Sequence, residues 1–189
     1  MSLINPEDNF KEIKSTLLNV LNRAGNDSHS AFRFIILNTI SDGYPNSRYV
    51  VLRKFKIDTQ ELFIYTDSRS NKIKELKENP LVSVLAYDEQ KKCQIKLKGK
   101  ISIHHQDQVA KEHWGTLLGG KESYNTQGQP GKKVNSLEDA NQIKNEYDDK
   151  YFAVLALEVR QAEVLQLNKD GHIRILFDFE KDRASYLVP

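Results

Sequence analysis

The chain has one cysteine, one tryptophan and one methionine among its 189 residues. A lone Cys93 excludes an intrachain disulfide and a cysteine-cluster metal site, and fits a reducing, cytoplasmic compartment. A run of roughly 18 apolar residues is lacking too, so no transmembrane helix is expected. Where a signal peptide needs a basic and then an apolar stretch, the first ten residues carry Asn5, Glu7 and Asp8. Charge of one sign is also missing, because 28 basic against 26 acidic residues leave a formal +2. That field is too weak to argue for nucleic acid or an anionic membrane as partner. No repeat, low-complexity tract or interdomain linker is visible, so one domain is expected.

What is present is periodic. Phe10, Ile13, Leu17, Leu21 and Ala24 recur at spacings of three and four, predicting a helix with Asn5 as cap, Pro6 in its first turn and Gly25 as stop. β-branched and aromatic runs follow at Phe32 to Ile40, Tyr49 to Phe55 and Leu62 to Thr66, separated by turn-forming residues, which predicts an antiparallel meander. A short helix runs from Ser70 to about Glu78, and strands resume over Leu81 to Tyr87 and Gln94 to Ile103. In the latter, Ile95, Leu97, Ile101 and Ile103 alternate with lysines, so one face is buried and the other wet. Helical patterns cover Gln106 to Leu118 and, more weakly, Leu137 to Tyr147, with the loop Gly119 to Gly131 between them. Tyr151 to Leu167 and Ile173 to Phe179 close the chain as a hairpin turning on Asn168-Lys169-Asp170-Gly171. About seven strands with few helices predict a mainly β (α+β) fold, a closed or half-closed antiparallel barrel with peripheral helices.

Polar groups gather at three element ends. Arg48 and Arg53 bracket one strand, Tyr65-Thr66 close another, and Ser70-Asn71-Lys72 open a helix. A helix start offers free backbone donors and partial positive charge, so Lys72 beside Arg48 reads as an anion site. Pattern alone favours the other reading, solvated charges that guard a sheet edge. Trp114 reads as a core or dimer-interface aromatic. Cys93 reads as a small strand side chain without a base partner. His104 and His105, adjacent on a strand, point to opposite faces and cannot easily share a metal.

Taken in order, Arg48 to Arg53, Leu62 to Thr66, Ser70-Asn71-Lys72, Asn79-Pro80 and Gln94 to Gly99 resemble the FMN-binding core of the pyridoxamine 5′-phosphate oxidase family. The resemblance implies an FMN-binding split β-barrel, with residues 1–25 as an N-terminal helix, 31–105 as core strands, 106–150 as a helical and loop excursion, and 151–189 as closing strands. It implies cofactor contacts from Arg48, Tyr49, Val50, Val51, Tyr65, Thr66, Ser70, Asn71, Lys72, Gln94 and Arg174, and substrate contacts from Arg53 and His172. It also implies a homodimer with FMN in the cleft between subunits, with the loop Gly119 to Gly131 reaching the partner's flavin. Four positions depart from the family: Arg53 stands where lysine is usual, Asn71 replaces a cation, Leu165 stands where an aromatic covers the flavin, and Tyr186 replaces a tryptophan. The vitamin-phosphate groups expected between Val109 and Gly131 are missing.

The expected activity is hydride transfer from a small amine or alcohol to FMN with reoxidation by oxygen, and no acid-base residue is assigned. The alternatives are a flavin reductase acting on another substrate and a non-catalytic flavin- or haem-binding protein.

Overall fold

The computed structural model describes residues 2–189. In chain order its elements are α1 Phe10–Asn26, β1 Phe34–Ser41, β2 Tyr44–Val51, β3 Lys54–Lys56, β4 Glu61–Asp67, α2 Asn71–Glu78, β5 Leu81–Asp88, β6 Cys93–His105, α3 Gln108–Gly115, a 3-10 turn Lys121–Tyr124, α4 Leu137–Ala140, β7 Phe152–Gln166, β8 Ile173–Asp178 and β9 Arg183–Tyr186. The strands form one antiparallel sheet in the order β2-β1-β5-β6-β7-β4-β3, with β8 on β7 and β9 on β8. Among the described residues no helix is long and apolar enough to cross a membrane.

Strand β7 is the spine. Its first half pairs with β4 and its second half with β8, while β6 runs along nearly all of it. Alternate residues of β5 and β6, from Val82, Val84 and Ala86 to Cys93, Ile95 and Leu97, point into the core, as a two-residue period requires. Helix α1 lays Ile13, Leu17, Leu21 and Ala24 against the same core. Where β6 and β7 shift register between Lys98 and Gly99, a Cβ on Gly99 would lie 1.9 Å from the Glu158 carbonyl oxygen, so only glycine fits.

The meander expected from Phe32 to Thr66 is not what forms. β2 pairs with β1, whereas β4 pairs with β3 and β7. The segment Tyr49 to Phe55, expected as one strand, breaks where the barrel closes. The Leu52 amide donates to the Arg33 carbonyl at 2.8 Å and the Arg53 amide to the Phe63 carbonyl at 2.9 Å. Consecutive residues thus bond to opposite edges of the sheet, with Leu52 fully buried at the corner.

Helix boundaries also move. The cap of α1 is Asn9, whose side chain accepts from the Lys11 and Glu12 amides while Glu12 reaches back to the Asn9 amide. That capping box outcompetes Asn5 and Pro6. The helix continues through Gly25, where a Cβ would come within 2.9 Å of the Lys54 backbone. Of the helix expected over Leu137 to Tyr147 only Leu137–Ala140 forms, and Leu137, Ile143 and Tyr147 are exposed, with no surface to pack on.

Candidate functional site

Barrel closure brings two sets of sequence-distant groups together. The end of β2, the end of β4 and the start of α2 surround a cleft of about 320 Å³ lined by Arg48, Tyr49, Val50, Val51, Arg53, Tyr65, Thr66, Ser70 and Lys72, with one carboxylate, Asp67, which is paired with Arg69. Eight of these were expected at a cofactor and Arg53 at the substrate, and the convergence arises across the barrel mouth instead of through strand pairing. Asn71 is exposed and lies outside this lining.

Lys72 is the group whose environment is least complete. It is half-buried, and its Nζ donates to Thr66 Oγ1 at 2.9 Å and Ser70 Oγ at 3.2 Å. Among the described residues no carboxylate lies within ion-pair distance of it. Burial, then the neighbouring Arg48 charge, pull its pKa below the ordinary lysine value. Ser70, at the N-cap of α2, donates its hydroxyl to the Asp67 carbonyl instead of capping the helix, and of the first-turn amides only that of Ile73 is taken up, by the Ser70 carbonyl at 3.0 Å. Arg48 is held differently. Its Nη2 lies 2.8 Å from Glu75 Oε2 and its Nη1 hydrogen-bonds to Thr39, while Asn46 donates to Glu75 Oε1 at 2.8 Å. Burial pushes the Glu75 carboxyl up, but the Thr39 hydroxyl, Arg48 and Asn46 outweigh it and hold it below the usual carboxylate range.

A second group is assembled on the outer face of the sheet. Gln94 of β6 sits opposite Leu165 of β7, and Leu165 opposite Arg174 of β8, so the three form one row. Arg174 donates to Glu163 Oε1 at 2.9 Å, and Lys96 Nζ lies 2.7 Å from Glu163 Oε2. His172 is exposed just before the start of β8, where its Nδ1 accepts from the Asn168 amide. Gln94, His172 and Arg174 are not in the Lys72 cleft; within one chain the expected site is divided between two surfaces.

Several participants escaped the sequence reading. Ser123, Tyr124 and Pro130 of the loop Gly119 to Gly131 line the chain's own cleft, and Tyr124 is buried. Arg69 pins that loop: it pairs with Asp67 at 2.6 Å, donates to the Thr126 carbonyl and stacks over Tyr151. His113 lies with Ala110, Trp114 and Leu117 on the inner stripe of α3 and its C-terminal extension, a spacing that could have revealed it. Trp114 packs on Phe152 beneath Lys121. His104 Nδ1 pairs with Asp107, while His105 hydrogen-bonds to the Lys150 carbonyl. Burial, first, and Asp88 push the Cys93 thiol up to about 12, which makes it inert near neutrality.

The sequence profile of the family described as pyridoxamine 5′-phosphate oxidase, FMN-binding domain, matches residues 11–105. The chain belongs to that family. Two solved structures share the fold. A pyridoxamine 5′-phosphate oxidase-related, FMN-binding protein from Nostoc punctiforme is 21% identical with a TM-score of 0.73, over 93% of this chain and 96% of its own. PhzG from Burkholderia lata, in complex with tetrahydrophenazine-1-carboxylic acid, is 20% identical with a TM-score of 0.76, over 98% of both chains. No curated protein sequence matches at a significant level. The mainly β split barrel with peripheral helices is therefore the fold of the family, reached here with nine strands.

Proposed function

We propose that the Lys72 cleft holds the phosphate end of FMN and that the chain is an FMN-dependent oxidoreductase. The observation that carries the reading is Lys72 itself, a half-buried ammonium with only hydroxyl partners at an uncapped helix start. A phosphate dianion supplies the close counter-charge that no carboxylate of the protein provides at Lys72, and Arg48 and Thr66 stand ready as further donors. Asn71, exposed where the family carries a cation, leaves one charge fewer for that task. Bound FMN supplies the redox chemistry, accepting hydride from a carbon that bears an amine or alcohol and passing electrons on to oxygen. The chain's residues bind and orient: Arg53 lines the same cleft over the Tyr65 ring, where an anionic donor molecule would meet it.

A homodimer accounts for the divided site. Phe34, Tyr49 and Tyr87 are 58%, 73% and 47% exposed on β1, β2 and β5, more apolar surface than an isolated barrel needs to show. A second copy covering that face would carry the row Gln94, Leu165, Arg174 to the flavin of the first, with His172 nearby. The donor is read as a small anion other than the vitamin phosphate, since the stretch after β6 offers His113, Trp114 and Thr116 in place of phosphate ligands. That PhzG carries a carboxylic acid is compatible with this class.

The test is the visible spectrum of protein purified without added cofactor, with the released ligand identified by mass. Flavin bands and released FMN support the proposal. A colourless protein that takes up no added FMN overturns it.

A further inference from the structure

A second cleft, about 850 Å³, adjoins the first through two shared side chains, Arg53 and Tyr65. Its wall carries the cations Arg33, Arg53 and Lys54 against one carboxylate, Glu112. Arg33 is spent on the C-terminal carbonyls of α1, donating to Ala24 and Gly25 at 3.1 Å each. Arg53 and Lys54 have no carboxylate within ion-pair distance among the described residues. Phe55 and Leu117 supply apolar wall. At the junction of the two clefts, Tyr65 Oη lies 2.7 Å from His113 Nδ1, and the imidazole is stacked on Phe63 at 5.0 Å.

We propose that this second cleft binds a small organic anion bearing an O–H or N–H donor, and that His113 is a positioning residue that makes the Tyr65 oxygen the acceptor for that donor. The inference deepens the FMN reading and rests on it for the identity of the neighbouring ligand. Phenol is the better donor and neutral imidazole nitrogen the better acceptor, so the short bond runs from Tyr65 O–H to His113 Nδ1. With its proton committed, Tyr65 Oη offers only lone pairs to the cleft. Arg53 and Lys54 take the anionic end of the ligand.

Charging His113 inverts the arrangement. An imidazolium donates from Nδ1 to Tyr65 Oη, and the phenol proton turns outward as a donor. The surroundings oppose that change near neutral pH. Burial, then Lys54 and Lys56 of β3, lower the His113 pKa below the ordinary imidazole value, with His104 of β6 adding to them and Glu112 opposing. Tyr65 stays protonated, because burial raises its pKa despite Arg53, and Tyr124 adds to the rise.

The experiment compares 4-hydroxybenzoate, which carries a donor, with 4-methoxybenzoate, which does not. Binding is measured by calorimetry on both FMN-loaded and FMN-free protein. At about pH 8 the hydroxy compound is expected to bind about fivefold more tightly, the value of one net hydrogen bond. His113→Phe and Tyr65→Phe should each abolish the preference, while His113→Gln, whose carbonyl oxygen still accepts from Tyr65, should retain it. The wild-type preference should persist down to the ordinary imidazole value near pH 6.5 and fall only below it. Failure of both compounds to bind, or a preference that survives in a folded His113→Phe variant, overturns the proposal; if that variant does not fold, an unchanged preference in Tyr65→Phe does so. FMN uptake is scored separately by absorption, so loss of flavin binding with the benzoate preference intact counts against the first cleft alone.

Discussion

Two cations expected at one flavin, Lys72 and Arg174, sit in opposite electrostatic settings. Lys72 donates only to hydroxyls and lies near a second cation, and the attraction of the more distant Asp67 and Glu75 does not offset burial and Arg48. Arg174 is already neutralised, sharing Glu163 with Lys96, and those partners hold the carboxyl below its usual range against the opposing push of burial. The first arrangement stores a demand for an anion. The second builds a rigid edge that offers a donor without seeking charge. Arg48 resembles Arg174 in this respect, being clamped by Glu75. An anion entering the cleft therefore gains most from Lys72 and meets in Arg48 a group whose position is already fixed.

The largest effect should come from removing a clamp. In Glu75→Leu, Arg48 and the Thr39 hydroxyl lose their acceptor in a buried setting. The expected cost is about 3 kcal/mol, which for a chain of this size lowers the melting temperature by about 10 °C. Thermal unfolding of the FMN-free protein measures it; a loss below about 1 kcal/mol would mean that Arg48 is not held through Glu75.

Next comes the demand itself. Lys72→Met should weaken FMN binding about 30-fold, the loss of roughly 2 kcal/mol of charge-assisted hydrogen bonding, while leaving the FMN-free melting temperature unchanged or higher. Fluorescence titration with FMN and a melt of the FMN-free variant separate the two. A variant that binds FMN normally breaks the contrast between the two cations.

Arg174→Met should do the reverse on a smaller scale. Glu163 keeps Lys96, so the FMN-free protein loses about 1 kcal/mol, and FMN affinity falls by about threefold, well short of the Lys72 effect. Equal losses of affinity from both variants would mean that Arg174 trades Glu163 for the flavin on binding.

Much of this contrast could be read from the chain. The first group, Arg48 to Lys72, follows from strand ends and a helix start that are local in sequence, and the profile match over residues 11–105 covers it. What could not be read was how closure happens. The β-branched and aromatic run from Tyr49 to Phe55 reads as one strand, and nothing in it announces that Leu52 and Arg53 bond to opposite edges. Clamping by Glu75 was equally hidden, because a carboxylate on a short polar helix reads as solvated until Thr39 and Asn46 are placed against it. His113 was legible in principle from its phase with Ala110 and Leu117, but the neighbouring Trp114 drew the reading. The over-long helix after Leu137 failed because periodicity without an apolar surface to meet does not hold a helix in water.

The smallest effect is the most diagnostic of the comparison. Lys72 has a folded pKa below the ordinary 10.5, so as pH rises the folded state releases this proton before the unfolded state does. Within the window that ends near the ordinary value, the unfolded chain binds more protons, and stability must rise with pH. FMN-free wild-type protein should therefore gain on Lys72→Met as the solution becomes alkaline, an effect smaller than any above and visible only as a difference between the two melting curves. Glu163 and Glu75 work at the other end: their depressed carboxyls stabilise above the unfolded carboxylate range and lose that contribution as pH falls through the folded values. With FMN bound, the phosphate supplies Lys72's missing partner, its pKa returns upward and the alkaline gain should vanish. An alkaline gain that persists at saturating FMN would mean that the phosphate is held elsewhere than at Lys72.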